Sequence, residues 1–157
     1  MGFTANPEIL DQKGVLFSEL APSAAAERLG KVYECLQLGL SFKAYPCPYS
    51  SQRAVDAVIR LADRHDLKPA DVEEIACVAA QNTFRVLIHH RPTTDLEAKF
   101  CLEYLLAAGI TTRTIREDIF ELAQVRDRVM QDFVQRVRIV ERPVPRIHGE
   151  GGMLRFR

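Results

Sequence analysis

Two prolines, Pro46 and Pro48, stand between an alternating apolar run and an amphipathic one. They forbid both helix and central strand across residues 45–48. Upstream, Leu36, Leu38, Leu40 and Phe42 alternate with Gln37, Gly39 and Ser41, which predicts a strand with one apolar face. Downstream, Val55, Val58, Ile59 and Ala62 share one helical face, and Asp56 and Arg60 lie four apart on the other. Ser50 or Ser51 is the expected helix cap, and the helix should end near His65 and Asp66. Lys43 therefore sits where a strand turns into a stiffened loop.

Further along, residues 74–80 (Glu74, Ile75, Cys77, Val78, Ala80) predict a second strand, weakened by its alanines. His89, His90, Arg91 and Pro92 read as a loop with restricted backbone. Thr94 and Glu97 form a capping-box pattern opening a helix through Ala98, Cys101, Leu102, Leu105 and Ala108, with Gly109 as its expected stop. A helix carrying Val129, Met130, Phe133 and Val134 leads into a strand over 137–140, and Met153 to Phe156 form a possible last strand. Pro22 to Gly30 suggest a short helix after an irregular arm (1–20), and 142–157 form a Pro- and Gly-rich tail. This order predicts one α+β domain over 1–157, a two-layer sandwich with one small sheet covered by helices.

Lys+Arg and Asp+Glu both number 21, so no net field recruits nucleic acid or an anionic membrane. Apolar stretches are too short to span a bilayer, and the first residues lack the features of a signal peptide, so a cytoplasmic location is expected. Cys35, Cys47, Cys77 and Cys101 are widely spaced, which predicts buried reduced thiols and no zinc or iron–sulfur site.

From residue chemistry alone, Lys43 stands out: a cation at a rigid strand end suits a substrate carboxylate, whereas most lysines are simply solvated. His89 and His90 are adjacent, so their side chains diverge, and Arg91 opposes a cation beside them. His65 suits a helix C-terminus. Ser50 and Ser51 sit in no nucleophile turn, and no phosphate-binding fingerprint occurs. Residues 136–157 hold a local excess of arginine, read as a solvated tail.

Phe42-Lys43-Ala44-Tyr45-Pro46-Cys47 followed by Arg53-Ala54-Val55-Asp56-Ala57 resembles the K-x-Y-P-C…H-R-A-x-D-A signature of the 2-methylcitrate dehydratase (MmgE/PrpD) family. Three further blocks resemble that family in order and spacing: Gly2-Phe3-Thr4 with Ile9-Leu10-Asp11 and Gly14; Lys68 to Ile75; and Arg91-Pro92-Thr93-Thr94 with residues 96–104. The resemblance implies the smaller α+β lid of a two-domain enzyme whose other part is all-helical.

It further implies a lyase of propionate metabolism or a relative, acting on small polycarboxylates without metal or organic cofactor. Dehydration, decarboxylation and epimerisation all occur in such a family, and each moves a proton next to a carboxylate. Lys43 is the implied catalytic residue and substrate anchor, with Tyr45, Gln52, His89 and Arg91 as substrate-binding residues. Gln52 stands where the family has His, and Pro48 where it has a second Cys or His. The chain alone is accordingly expected to be inactive and to need a helical partner, as a missing domain or a separate chain. A non-catalytic remnant or small-carboxylate-binding module is the alternative.

Overall fold

The computed structural model describes residues 30, 31, 33, 36, 39–80, 83–142 and 153–156, the last four by backbone alone. The expectations for 1–20, 22–29 and 143–152 lie outside these residues. The chain divides into two units, Met1–Ser41 and Phe42–Arg157.

The described residues of the expected Leu36–Phe42 strand are not extended strand. Leu36 is helical, with its N–H donating to the Tyr33 carbonyl at 2.9 Å, and residues 39–41 have no regular structure. Gly39 adopts φ +73°, a left-handed conformation that breaks an extended run whatever its side-chain alternation. The apolar side chains of Leu36 and Leu40 are exposed, as is that of Phe42 at the start of the second unit.

The second unit opens with the Pro46/Pro48 loop and a single 3-10 turn, Tyr49–Ser51, that leads into helix α1, Gln52–Arg64. Val55, Val58, Ile59 and Ala62 are buried along α1, and Arg60 pairs with Asp56 at 2.8 Å on its outer side. Ser51 occupies the N-cap position without capping. Its hydroxyl donates to the Pro48 carbonyl at 2.7 Å, because the preceding 3-10 turn brings that acceptor underneath it.

Strand β1, Ile75–Ala80, follows a Pro69–Asp71 turn in which the Asp71 carboxylate accepts from the Lys68 N–H at 2.9 Å. Ile75, Cys77 and Ala79 face the core. Helix α2, Asp95–Lys99, is capped by the Thr94 hydroxyl, which accepts from the Glu97 N–H at 3.3 Å. The Glu97 carboxylate accepts from the Thr93 N–H at 2.7 Å, and this bond holds its carboxyl below the usual range.

The single helix expected from Thr94 is divided at Phe100 and Cys101, and α3 then runs Leu102–Thr112. Gly109 does not stop it. A Cβ at Gly109 would lie 2.6 Å from Val58 Cγ1 of α1, so glycine is required by the close approach of two helices rather than by a turn. The left-handed cap falls instead on Arg113, at φ 59°, whose guanidinium reaches Asp63 and the Leu67 carbonyl.

Short helices α4, Leu122–Val125, and α5, Arg128–Val134, lead to strand β2, Val137–Arg142. With β3, Met153–Phe156, the sheet order is β2-β1-β3. β2 is parallel to β1 (Ile75 beside Val137) and β3 antiparallel (Ile75 beside Phe156). A parallel neighbour requires a crossover, and α2 to α5 supply it. α3 is buried from Leu102 to Ile110 and packs on α1, α5 and β2, while α1 also packs on β3. The unit is α+β, a small sheet covered by helices.

Candidate functional site

The Pro46/Pro48 loop is tied to the start of α1 by one side chain. Gln52 Oε1 accepts from the Ala44 and Tyr45 N–H groups, each at 3.1 Å. Its Nε2 donates to the carbonyls of Tyr45 at 2.9 Å and Cys47 at 3.1 Å. Two prolines limit the donors this loop can offer, and the amide serves both kinds of main-chain group at once. Cys47 is buried beneath it, with the Ser51 hydroxyl oxygen 3.2 Å from its sulfur. Burial pushes the Cys47 thiol up, opposed by the Ser51 hydroxyl and the Lys43 charge. This thiol is a packed group rather than an activated nucleophile.

Lys43 and Phe42 are exposed at the entrance of this loop, and Tyr45 is half-buried with its hydroxyl donating to Asp56 Oδ1 at 3.3 Å. Partial burial, then the Asp56 carboxylate, push the Tyr45 phenol up. Lys43, Tyr45 and Gln52 thus belong to one clamped constellation. His89 and Arg91 lie elsewhere, on the loop leading to α2. His89 is half-buried, its N–H donating to the Phe100 carbonyl at 3.2 Å in an isolated bridge with Cys101, and Arg91 is exposed.

A second polar cluster lies on that loop. His90 Nδ1 is 2.8 Å from Glu103 Oε1, the His90 side chain being 61% exposed and that of Glu103 11%. The Phe84 ring packs against the imidazole in a tilted arrangement, 5.3 Å between centroids. Glu103 Oε2 accepts from the Cys101 thiol at 3.5 Å. Burial pushes the Cys77 thiol up to about 11 and the Cys101 thiol higher, with the Glu103 charge adding to both. Residue type alone does not distinguish His90, because its neighbour His89 diverges from it and cannot share a metal with it. The signal for Glu103 was present: it is the lone charge in the apolar run Cys101 to Ile110.

Among the described residues no group of three or more His, Cys, Asp or Glu side chains could hold a metal ion, and no helix is long and apolar enough to cross a membrane. A cavity of about 90 Å³ lies apart from both clusters, lined by Tyr104, Ile119, Met130 and Phe133 among others.

The pattern of the MmgE/PrpD C-terminal domain matches residues 45–145, well over half of the chain. The chain belongs to the MmgE/PrpD family. The matched stretch starts at Tyr45, takes in Gln52, His90 and Glu103, and ends just beyond β2. Compared with curated proteins one by one, the chain finds no match. Lys43 stands two residues before the stretch that matches the MmgE/PrpD domain, at the start of the loop that Gln52 holds.

Proposed function

We propose that this chain is the lid of a cofactor-independent lyase acting on small polycarboxylates, with Lys43 as the carboxylate anchor. The observation that carries the reading is an exposed ammonium at the mouth of a loop whose main chain is fixed by two prolines and the Gln52 amide. A lysine held on a fixed backbone loses less freedom on binding than one on a mobile loop. It also presents its charge where negative charge builds up beside a reacting carbon.

Tyr45, His89 and Arg91 extend the ligand-facing surface, and an all-helical partner supplies the remaining acid/base groups. Exposed Phe42 and Tyr49 beside the loop fit such a partner. Propionate metabolism and a cytoplasmic setting follow from the same family reading.

A non-catalytic carboxylate-binding role is the second reading, favoured by one observation. The Gln52 amide stands where the family resemblance places a histidine, and it is engaged with main chain on both its oxygen and nitrogen sides. Unlike an imidazole, a carboxamide side chain does not titrate near neutral pH and so cannot serve as a general acid or base.

The test is a titration of the purified chain with citrate, followed by the amide resonances of Ala44 and Tyr45. Saturable shifts in the wild type that vanish in Lys43→Ala support the anchor; equal shifts in both proteins overturn it. Turnover of 2-methylcitrate or cis-aconitate by the chain alone would refute the need for a partner. Turnover gained on adding a helical-domain chain would remove the non-catalytic reading.

A further inference from the structure

A carboxylate kept out of water is a costly thing for a small domain to retain, and Glu103 is one. It is 8% exposed, in the first turn of α3, between fully buried Leu102 and Tyr104. The helix N-terminus offsets part of its desolvation, but its side-chain partners are an exposed imidazole and a weakly donating thiol. Replacing a whole buried ion pair by apolar side chains is often neutral or stabilising, so packing alone is a poor reason for its presence.

What Glu103 does achieve is orientation. An ionised carboxylate only accepts, so the hydrogen shared at 2.8 Å belongs to His90 Nδ1. The Phe84 ring lies beside the imidazole, tilted 47° to it, and limits its swing on one side. The His89 N–H bond to Phe100 pins the adjoining backbone to the start of α3. An exposed histidine ordinarily swivels, whereas this one is bonded at Nδ1 and flanked by a ring, with no hydrogen bond to its other nitrogen, Nε2, among the described residues.

The loop that carries His90 is basic in composition. Residues 83–92 contain Arg85, His89, His90 and Arg91 and no acidic residue. Arg85 and Arg91 are exposed. The nearest acid of α2 along the chain after Asp95, Glu97, interacts with His89 but is engaged by Thr93.

We infer that His90, oriented by Glu103, is a ligand-contacting residue that donates through Nε2–H to a carboxylate of a small polycarboxylate. With the ring charged, Nδ1–H bonds Glu103 and Nε2–H bonds the ligand, so the imidazolium lies between two carboxylates. Charge-assisted bonds of this kind are about twice as strong as neutral ones. This inference rests on the polycarboxylate reading for its ligand class, but on different residues from the Lys43 anchor.

The test uses the full chain, citrate as the probe, and nitrogen-15 resonances of the histidine rings at about pH 6, where an ordinary imidazole is largely charged. Citrate should shift His90 Nε2 more than Nδ1, along one saturable curve. His90→Gln should weaken citrate binding by about fivefold or more, a loss of at least about 1 kcal/mol. Glu103→Leu should do the same while leaving the melting temperature unchanged or raised, which a structural role for Glu103 would not allow.

An unmoved His90 resonance, or unchanged affinity in His90→Gln, overturns the inference. Shifts of the Ala44 and Tyr45 amides with His90 silent would leave the Lys43 anchor standing and remove this one. Shifts at His90 that persist in Lys43→Ala would do the reverse. Silence at both places removes both.

Discussion

Replacing Gln52 tests whether one amide sets the shape of the lysine-bearing loop. In the wild type it accepts from two N–H groups and donates to two carbonyls, at 2.9 to 3.1 Å. Each such bond contributes a net ~0.5–1.5 kcal/mol. Ala44 is exposed, so water replaces the bond to its N–H, whereas Tyr45 is half-buried and Cys47 buried. Gln52→Ala should therefore cost about 2 kcal/mol.

Gln52→Glu is the sharper change, because it keeps the shape and the acceptor but turns the donor into a second acceptor facing two carbonyls. Unsatisfied acceptors add about 1–2 kcal/mol, so at neutral pH this variant should be less stable than Gln52→Ala. The introduced carboxyl would titrate higher in the folded protein than in the unfolded chain, where it titrates near ~4.3. The variant's penalty is accordingly small below that value and grows as pH rises through the folded one.

Urea unfolding followed by circular dichroism at neutral and mildly acidic pH measures these differences. Amide exchange at Ala44 and Tyr45 reports the loop itself, and should accelerate in both variants. Wild-type stability of Gln52→Glu at neutral pH, or unchanged exchange at Tyr45, would refute the clamp.

Gly109→Ala sets the overpacking cost against the helix-propensity gain. A methyl 2.6 Å from Val58 Cγ1 forces a β-branched side chain that is stiff in a helix. Overpacking of ~1–3 kcal/mol should exceed the propensity gain of about 1 kcal/mol; a variant more stable than wild type by thermal melting would contradict the close α1–α3 approach. Alkaline pH should weaken the fold through the buried thiols, because burial pushes Cys77 up from 9.0 to about 11 and Cys101 further. Their contribution is whole below the unfolded value and is lost as pH rises toward the folded one, at up to ~1.4 kcal/mol per pH unit per thiol. Urea midpoints that stay flat between neutral and about pH 10 would count against it.

Helix α1, strands β1 to β3 and the Asp56–Arg60 pair were legible because each depends on local pattern: period 3.6, period 2, or a four-residue spacing. The expectation of a Leu36–Phe42 strand fails because alternation ignores φ, and Gly39 takes the left-handed region that the pattern cannot show. The pattern from Thr94 predicts one continuous helix because nothing local marks the break at Phe100 and Cys101. There the backbone turns to bridge His89 instead.

The residue types of the site are properties of the sequence by itself: a lysine at the mouth of a two-proline loop, a glutamine where the family resemblance expects histidine, and a lone glutamate in an apolar helix. Their partners are not. Gln52 meets the Ala44 and Tyr45 N–H groups only because α1 folds back under the loop. His90 meets Glu103 across thirteen residues only because the loop before α2 is drawn against the start of α3. Gly109 is a stop signal in one dimension and a helix contact in three. Local propensity depends on neighbours in the chain, but hydrogen bonds and steric contacts depend on neighbours in space, and only the packed fold decides those.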